Sequence, residues 1–507
     1  MKRKKKNQIQ LLSLLALLLI LSGVYLWYSH WQTGKSDSED DTTQDIALGT
    51  LDSEQVNSLH YKAKDADLTF TLDNGVWKSD ADPDRPINQT NVKNLLNLVT
   101  TVKATKIISE QPEDLSEYGL DEPKGYIQGS QTDGKTMTVR IGDSAINNSG
   151  YYAMVNEDQK VYLVSASYST GTGYSDTDMT ELEESPSITA ANIRHIIIDN
   201  RDKENIELKY DEDNTLDTSA MGLFPWVMEK PYGEAHSVDN SKINDLLSNY
   251  TDFSVISCVD YNGKDLNKYG LDNPLASVYI QYFETQTVKL DTPEKDPATG
   301  KDITEKQQNI DKEYKIYIGD KDSEGDYYIK REGSNAIYTM YPSTIEKMLT
   351  VDTFSLLNTL INVPNIKNVD KVTADIGGAR YTMEIKHTAS KDTDGSDTTT
   401  DTYYYNGKEV TKDEFQPVYQ AMISAAYDSP IRKDVSADGV QPVLTITYQL
   451  SAGTPGTLTE SFLPYNDSFY MVEANSQKIE FFADKRAIDD LIKIIEDFKV
   501  PSSSENN

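Results

Sequence analysis

The chain is 507 residues long, with a formal net charge of −33 and one cysteine. That length allows two to four domains. The acidic surface repels nucleic acid and anionic lipid and argues against both as partners, and a lone cysteine excludes an intramolecular disulfide scaffold. Hydrophobic residues make up 37%, low for a globular protein, but 32 tyrosines add apolar area with a polar tip.

The N-terminus is the exception to the acidic pattern. Lys2, Arg3, Lys4, Lys5 and Lys6 precede an almost uninterrupted apolar run at 11–28. Eighteen helical residues rise about 27 Å, close to the hydrocarbon thickness of a bilayer. Tyr25, Trp27, Tyr28 and Trp31 cluster at the far end, as an interfacial aromatic belt does. The spacing predicts a cytoplasmic tail (1–10), an uncleaved single-span anchor (11–31) at the plasma membrane and an extracytoplasmic remainder. A cleaved signal peptide is the competing reading, but aromatics occupy the region where small residues should stand, and Val24 stands where a lipoprotein would need cysteine. Residues 32–50 are polar and acidic and read as a linker.

A first folded unit is expected over 51–178. Residues 68–72 alternate as a half-buried strand does, Asp73-Asn74-Gly75 turns the chain back, and 88–102 carries Val92, Leu95, Leu96 and Val99 at helical spacing with Thr90 or Asn91 as cap. Further strands are expected near 125–128, 137–141, 151–155 and 160–164. A second unit, 188–352, repeats the pattern, with a helix at 241–250, strands near 276–282 and 314–318, and Cys258 in an apolar stretch that marks a buried, inert thiol. A third, more degenerate unit is expected over 362–498. There 381–385 resembles an opening strand, Tyr405-Asn406-Gly407 resembles the earlier turn, and helices fall at 412–426 and 486–498. Residues 499–507 read as a disordered tail.

The repetition is anchored by one stretch found twice, Leu-Ser-Glu-Tyr-Gly-Leu-Asp-Glu-Pro at 115–123 and Leu-Asn-Lys-Tyr-Gly-Leu-Asp-Asn-Pro at 266–274. Gly119 and Gly270 stand where a short helix ends in a left-handed residue. Leu115 with Leu120, and Leu266 with Leu271, fall at the positions that touch in a Schellman ending, and Pro123 and Pro274 block re-entry into helix. Tyr118, Asp121, Tyr269 and Asp272 complete the copies. Each is followed by Ile-Gly-Asp (Gly142 and Asp143; Gly319 and Asp320) and a tyrosine pair (Tyr151 and Tyr152; Tyr327 and Tyr328). Tyr118 and Gly142 are 24 residues apart and Tyr269 and Gly319 are 50, the excess matching a polar stretch at about 284–310 that reads as an inserted loop. The third unit lacks both motifs.

Chemistry is sparse. No nucleophile elbow, zinc-binding His-Glu-x-x-His helix or glycine-rich phosphate loop occurs. His30, His60, His195, His236 and His387 are scattered, and no metal, cofactor or catalytic residue is assigned. Asp80, Asp82 and Asp84 have calcium-like spacing, but Arg85 stands where the loop needs glycine, and the acidic loop at 392–397 has its glycine too early. Asp143 and Asp320 are expected to accept backbone N–H groups in hairpin turns, catalysis requiring a second acid nearby. One ring of each tyrosine pair is expected to face a core and its neighbour water; alternatively the four rings line a binding face.

In Tyr-Gly-Leu-Asp-x-Pro, Ile-Gly-Asp and the Tyr-Tyr strand the chain resembles the bacterial family known as domain of unknown function 4340, with copies at about 51–168 and 193–349. The resemblance implies an envelope protein with one N-terminal span. For some members it implies an auxiliary role in an ABC-type transport system linked to gliding motility. The expectation is an α+β protein of tandem domains, mainly antiparallel sheet with packed helices, behind one transmembrane helix. It would be a non-enzymatic scaffold or accessory subunit contacting an envelope partner such as an ABC permease. The alternative is a ligand- or polymer-binding module using tyrosine-rich strands, its ligand unidentified.

Overall fold

The computed structural model describes residues 45–213, 224–295, 300–391, 397–432, 435–451 and 456–498. The expected anchor, the basic tail before it, residues 32–44 of the acidic linker and the C-terminal tail lie outside the described residues. Among those described, no helix is long and apolar enough to cross a membrane. The chain divides into two compact units after Met179.

The first unit is one antiparallel sheet of nine strands: β1 (Ile46–Thr50), β2 (Val56–Ala63), β3 (Ala66–Asp73), β4 (Val76–Ser79), β5 (Thr101–Ser109), β6 (Gly125–Gln131), β7 (Thr136–Ser144), β8 (Tyr151–Val155) and β9 (Val161–Val164). They lie in the order β1-β5-β9-β8-β7-β6-β2-β3-β4. Because β1 pairs with β5, the linker expected over 32–50 ends before residue 46. Asn74 and Gly75 both have positive φ (51° and 84°), the paired left-handed residues of a type I′ turn between β3 and β4. Helix α1 (Gln89–Thr100) is capped by Asn88, whose side chain accepts from the N–H of Asn91, two or three residues before the expected caps. Its Val92, Leu95 and Val99 are fully buried in one cluster with Leu59, Tyr61 and Phe70 of the sheet. Each such side chain contributes about 1.5–3 kcal/mol by leaving water.

The second unit holds two more nine-stranded sheets. One comprises β10 (Ile193–Asn200), β11 (Ile206–Tyr210), β12 (Trp226–Lys230), β13 (His236–Ser237), β14 (Ser257–Asp260), β15 (Ala276–Lys295), β16 (Asp302–Lys321), β17 (Tyr327–Arg331) and β18 (Ile337–Met340). The other comprises β19 (Val369–Ile376), β20 (Ala379–Lys391), β21 (Asp397–Tyr405), β22 (Lys408–Val410), β23 (Ser429–Pro430), β24 (Leu444–Leu450), β25 (Thr457–Pro464), β26 (Phe469–Ala474) and β27 (Phe481–Asp484). Eight strands follow one order in all three sheets: β5-β9-β8-β7-β6-β2-β3-β4, then β14-β18-β17-β16-β15-β10-β11-β12, then β23-β27-β26-β25-β24-β19-β20-β21. Only the ninth differs, β1 lying at one edge and β13 and β22 at the other. In each copy a helix, α1, α2 (Asn240–Leu247) or, in the third, Lys412–Met422, precedes in the chain the strand that begins this order, β5, β14 or β23. The third segment is therefore a copy of the same topology although it lacks the repeated motifs.

The strand at 381–385 lies in β20, the counterpart of β3 and so of 68–72. Two expectations are corrected. The Asn406-Gly407 turn, φ 48° and 76°, joins β21 to β22, one strand farther from the centre than its counterpart. The described part of 284–310 is a two-stranded arm, because β15 and β16 pair from Glu284↔Ile310 to Lys289↔Glu305 and, after a shift in register, again at Glu294↔Ile303 and Lys295↔Asp302.

Glu460 of β25 is fully buried. Burial pushes its carboxyl up to about 8, although Asn362 Nδ2 and the Tyr448 hydroxyl, each donating at 3.3 Å, act the other way. The folded chain thus holds a proton that the unfolded chain releases above its ordinary value of 4.5. Between those two values stability falls as pH rises, by up to about 1.4 kcal/mol per pH unit. Glu460→Gln removes this slope. Thermal melts from pH 5 to pH 8 are expected to show the variant gaining on the wild type as pH rises, and a constant gap would contradict the assignment.

Candidate functional site

Both copies of the repeated stretch form the same capped turn. Ser116–Tyr118 and Leu266–Tyr269 are single 3-10 turns, ended by Gly119 (φ 62°, ψ 30°) and Gly270 (φ 65°, ψ 21°). The N–H of Leu120 donates to Leu115 O at 3.0 Å and that of Gly119 to Ser116 O at 3.1 Å; Leu271 to Leu266 O and Gly270 to Asn267 O repeat these distances. These are the paired bonds of a Schellman ending, and they use carbonyls that a helix end leaves unpaired.

The Ile-Gly-Asp segments do not form hairpin turns. Gly142 and Asp143 lie within β7 and Gly319 and Asp320 within β16, each at a shift in register with the next strand, between Ile141 and Ser144 and between Ile318 and Lys321. The bulge lies under the turn. A Cβ on Gly142 would overlap the carbonyl oxygen of Tyr118, and one on Gly319 that of Tyr269. A Cβ on Gly119 would stand 2.7 Å from Asp143 Cγ, and one on Gly270 2.5 Å from Asp320 Cγ. Turn and bulge thus form one packed unit, with the aspartate against the left-handed glycine. Asp143 also pairs with Lys124 at 2.6 Å.

The tyrosine pairs complete the same unit. Tyr151 and Tyr327 pack on the main cores, whereas Tyr152 and Tyr328 turn to the opposite face, as strand alternation requires. The outward ring does not simply face water. Tyr152 meets Tyr118 edge-on at 5.2 Å and Tyr328 meets Tyr269 at 5.0 Å, within small clusters that also hold Leu115 and Leu120, or Leu266 and Leu271. All four rings are half-buried. Asp121 and Asp272 remain exposed beside Pro123 and Pro274.

In the first repeat the turn also walls a cavity of about 720 Å³. Leu115, Leu120, Asp121, Glu122 and Pro123 form one side. The outer face of the sheet supplies His60 and Lys62 from β2, Asp67 from β3, Tyr126 from β6, Arg140 from β7 and Met154 from β8. Asp67 accepts from His60 Nε2 at 2.9 Å and pairs with Lys62 at 3.3 Å; these hydrogen bonds hold its carboxyl below the usual range. Tyr126, and none of the four paired tyrosines, lines this cavity. The sequence alone does not reveal this group because its members are spread over five strands, which only pairing brings together.

The four described histidines each meet a carboxylate: His60 with Asp67, His195 with Glu207 at 2.9 Å, His236 with Glu480 at 3.3 Å and His387 with Asp401 at 2.7 Å. Among the described residues no group of three potential ligands could hold a metal ion. Arg85, at the glycine position of the calcium-like stretch, forks onto Asp176 at 2.9 and 3.0 Å. Most of the acidic loop at 392–397 lies outside the described residues. Cys258 is buried in β14.

The turn–bulge contact is open to test in denaturant melts. Gly119→Ala is expected to destabilise its repeat by about 1–2 kcal/mol through the left-handed backbone and the Asp143 contact. Gly142→Ala, meeting a backbone carbonyl that cannot step aside, is expected to cost about 2 kcal/mol or more. Adding Asp143→Ala to Gly119→Ala should recover part of the loss, whereas additive losses would mean that the two motifs do not touch.

The family described as DUF4340, domain of unknown function, matches residues 77–222 and 226–424, together more than half of the chain. No curated protein and no solved structure matches. On the strength of that coverage, which takes in both copies of the turn and bulge, the chain belongs to the DUF4340 family.

Proposed function

We propose that this protein is an accessory subunit held at the plasma membrane by its N-terminal apolar run, working outside the cytoplasm through protein–protein contact, with an ABC-type permease as its partner. The observation that carries this reading is the arm. Beyond Phe283 on β15 and before Tyr314 on β16, the two strands pair only with each other among the described residues, since β10 reaches no farther than Tyr282 and β17 pairs from Ile316 onward. Each edge therefore offers a row of unpaired backbone N–H and C=O groups, the template on which another chain adds a strand. A two-stranded ribbon is marginal in water without such support. Lys289, Lys306 and Lys312 on the exposed strands disfavour pairing between copies of the arm itself.

The test is to replace 284–310 by Asn-Gly, which rejoins Phe283 and Asp311, the residues that already face each other. The shortened chain is expected to keep its unfolding transition and to lose its envelope partner in pull-downs from solubilised membranes. Undiminished capture by the shortened chain would refute the role of the arm. Failure of the intact chain to retain any transport or envelope protein would refute the accessory role. A second reading, a ligand-binding module, is favoured by the cavity in the first repeat.

A further inference from the structure

The cavity of the first repeat has a floor set by strand register. Asp67, Lys62, Tyr126, Arg140 and Met154 are direct cross-strand neighbours on β3, β2, β6, β7 and β8. Neighbouring strands lie about 4.8 Å apart, so this row sets a phenol ring between an ammonium and a guanidinium. His60 meets the edge of the Tyr126 ring at 5.1 Å. Lys62 shares Asp67 with His60, whereas Arg140 makes one long hydrogen bond among the described residues, 3.5 Å to Asn156 O, and is half-buried. A guanidinium so placed has donors left for a carboxylate.

The second repeat serves as an internal control. It keeps the turn, the bulge and the tyrosine contact, yet its corresponding row reads Asp199, Ser277, Tyr317 and Lys330. There the Ser277 hydroxyl donates to Asp199 at 3.4 Å and the Tyr317 hydroxyl to Glu332. The packing task of the motif is therefore met without a cation–tyrosine–cation row, and the charges of the first repeat call for a separate explanation.

We propose that the cavity binds a short peptide with free termini and apolar side chains. About 720 Å³ lies in the range of small-ligand sites and accommodates roughly two to four residues. Arg140 and Lys62 on the floor receive the terminal carboxylate. Asp121 and Glu122, exposed on the turn, receive the terminal ammonium. Leu115, Leu120, Met154 and the Tyr126 ring take the side chains. The two cations, Lys62 and Arg140, face the three carboxylates Asp67, Asp121 and Glu122, so a phosphate or other dianion is disfavoured while a ligand with separated, cancelling charges is accepted. This inference extends the ligand-binding reading and does not depend on the arm or on any transport partner.

The test is calorimetric titration of the full chain with the tripeptide Leu-Ala-Leu, its N-acetylated form and its C-amidated form. Saturable one-to-one binding of the free tripeptide is expected, at least tenfold weaker for each blocked form. Arg140→Gln is expected to weaken the free tripeptide at least tenfold with no further loss for the amide, and Asp121→Asn with Glu122→Gln to do so with no further loss for the acetylated form. Tyr317→Phe, in the second repeat, is expected to leave binding unchanged. Should Arg140→Gln lower the melting temperature, the exposed Lys62→Gln gives the same readout. No saturation up to about 10 mM, an affinity too weak to count as recognition, would overturn the proposal. Equal affinity for free and blocked peptides, or an unaltered affinity in the floor variants, would do so as well. Partner capture through the arm is measured separately, so failure of either reading leaves the other standing.

Discussion

In the first two repeats the backbone of a glycine-stopped turn rests on a bulge in a neighbouring strand, with the carbonyl oxygens of Tyr118 and Tyr269 where a Cβ on Gly142 or Gly319 would stand. The rest of each repeat depends on that contact because an antiparallel sheet has two faces and its helix covers only one. Side chains that alternate away from the helix, Met154 and Val161 in one repeat and Ile337 in the other, would otherwise be open to water. The turn covers them with two leucines and a tyrosine while satisfying its own end carbonyls. Glycine is required twice for different reasons: at the turn by a left-handed backbone, at the bulge by the closeness of another main chain.

The third repeat reaches the same strand order without this device. Its Phe482, on the face opposite the buried Ala483, is met by the rings of Tyr465 and Phe469 at 4.6 and 5.6 Å. Aromatic side chains cover there what a capped turn covers elsewhere. The third sheet is also tied to the second within one compact unit. Phe481 belongs to the core of the second sheet, and Glu480 beside it accepts from His236 and from the N–H of Gly233 at 2.7 Å. Burial works to raise the Glu480 carboxyl, but those two hydrogen bonds prevail and hold it below the usual range. Removing one partner of such a pair is costly because the charge left behind is buried and unpaired.

Much of the architecture was legible because it rests on short-range chemistry. The left-handed glycine, the leucine contact across it and the Asn74-Gly75 turn depend on residues a few positions apart, and all three form as their spacing implies. The paired helix faces were legible for the same reason. A Gly-Asp step by itself points to local turn chemistry, whereas the aspartates after Ile-Gly lie against Gly119 or Gly270, which only the folded sheet brings near. The polar stretch at 284–310 has the composition of a loop because it lacks the alternation of a half-buried strand, and an arm with neither face buried has no reason to alternate. The third repeat looked degenerate because its motifs are gone, whereas strand order is held by core positions that tolerate many apolar residues.

By itself the sequence determined the duplication, the positions of the capped turns, the acidic character of the chain and the apolar run ahead of it, since each is carried by residue types at fixed local intervals. Only the tertiary structure decided that turn, bulge and tyrosine pair are one packed unit, that a third copy of the topology exists, that the insert is a paired arm, and that Lys62, Tyr126 and Arg140 stand in a row. Those facts depend on register between strands far apart in the chain. A shift of one residue would turn every side chain of a strand to the other face, and between strands far apart in the chain no short turn fixes the register as Asn74-Gly75 does between β3 and β4.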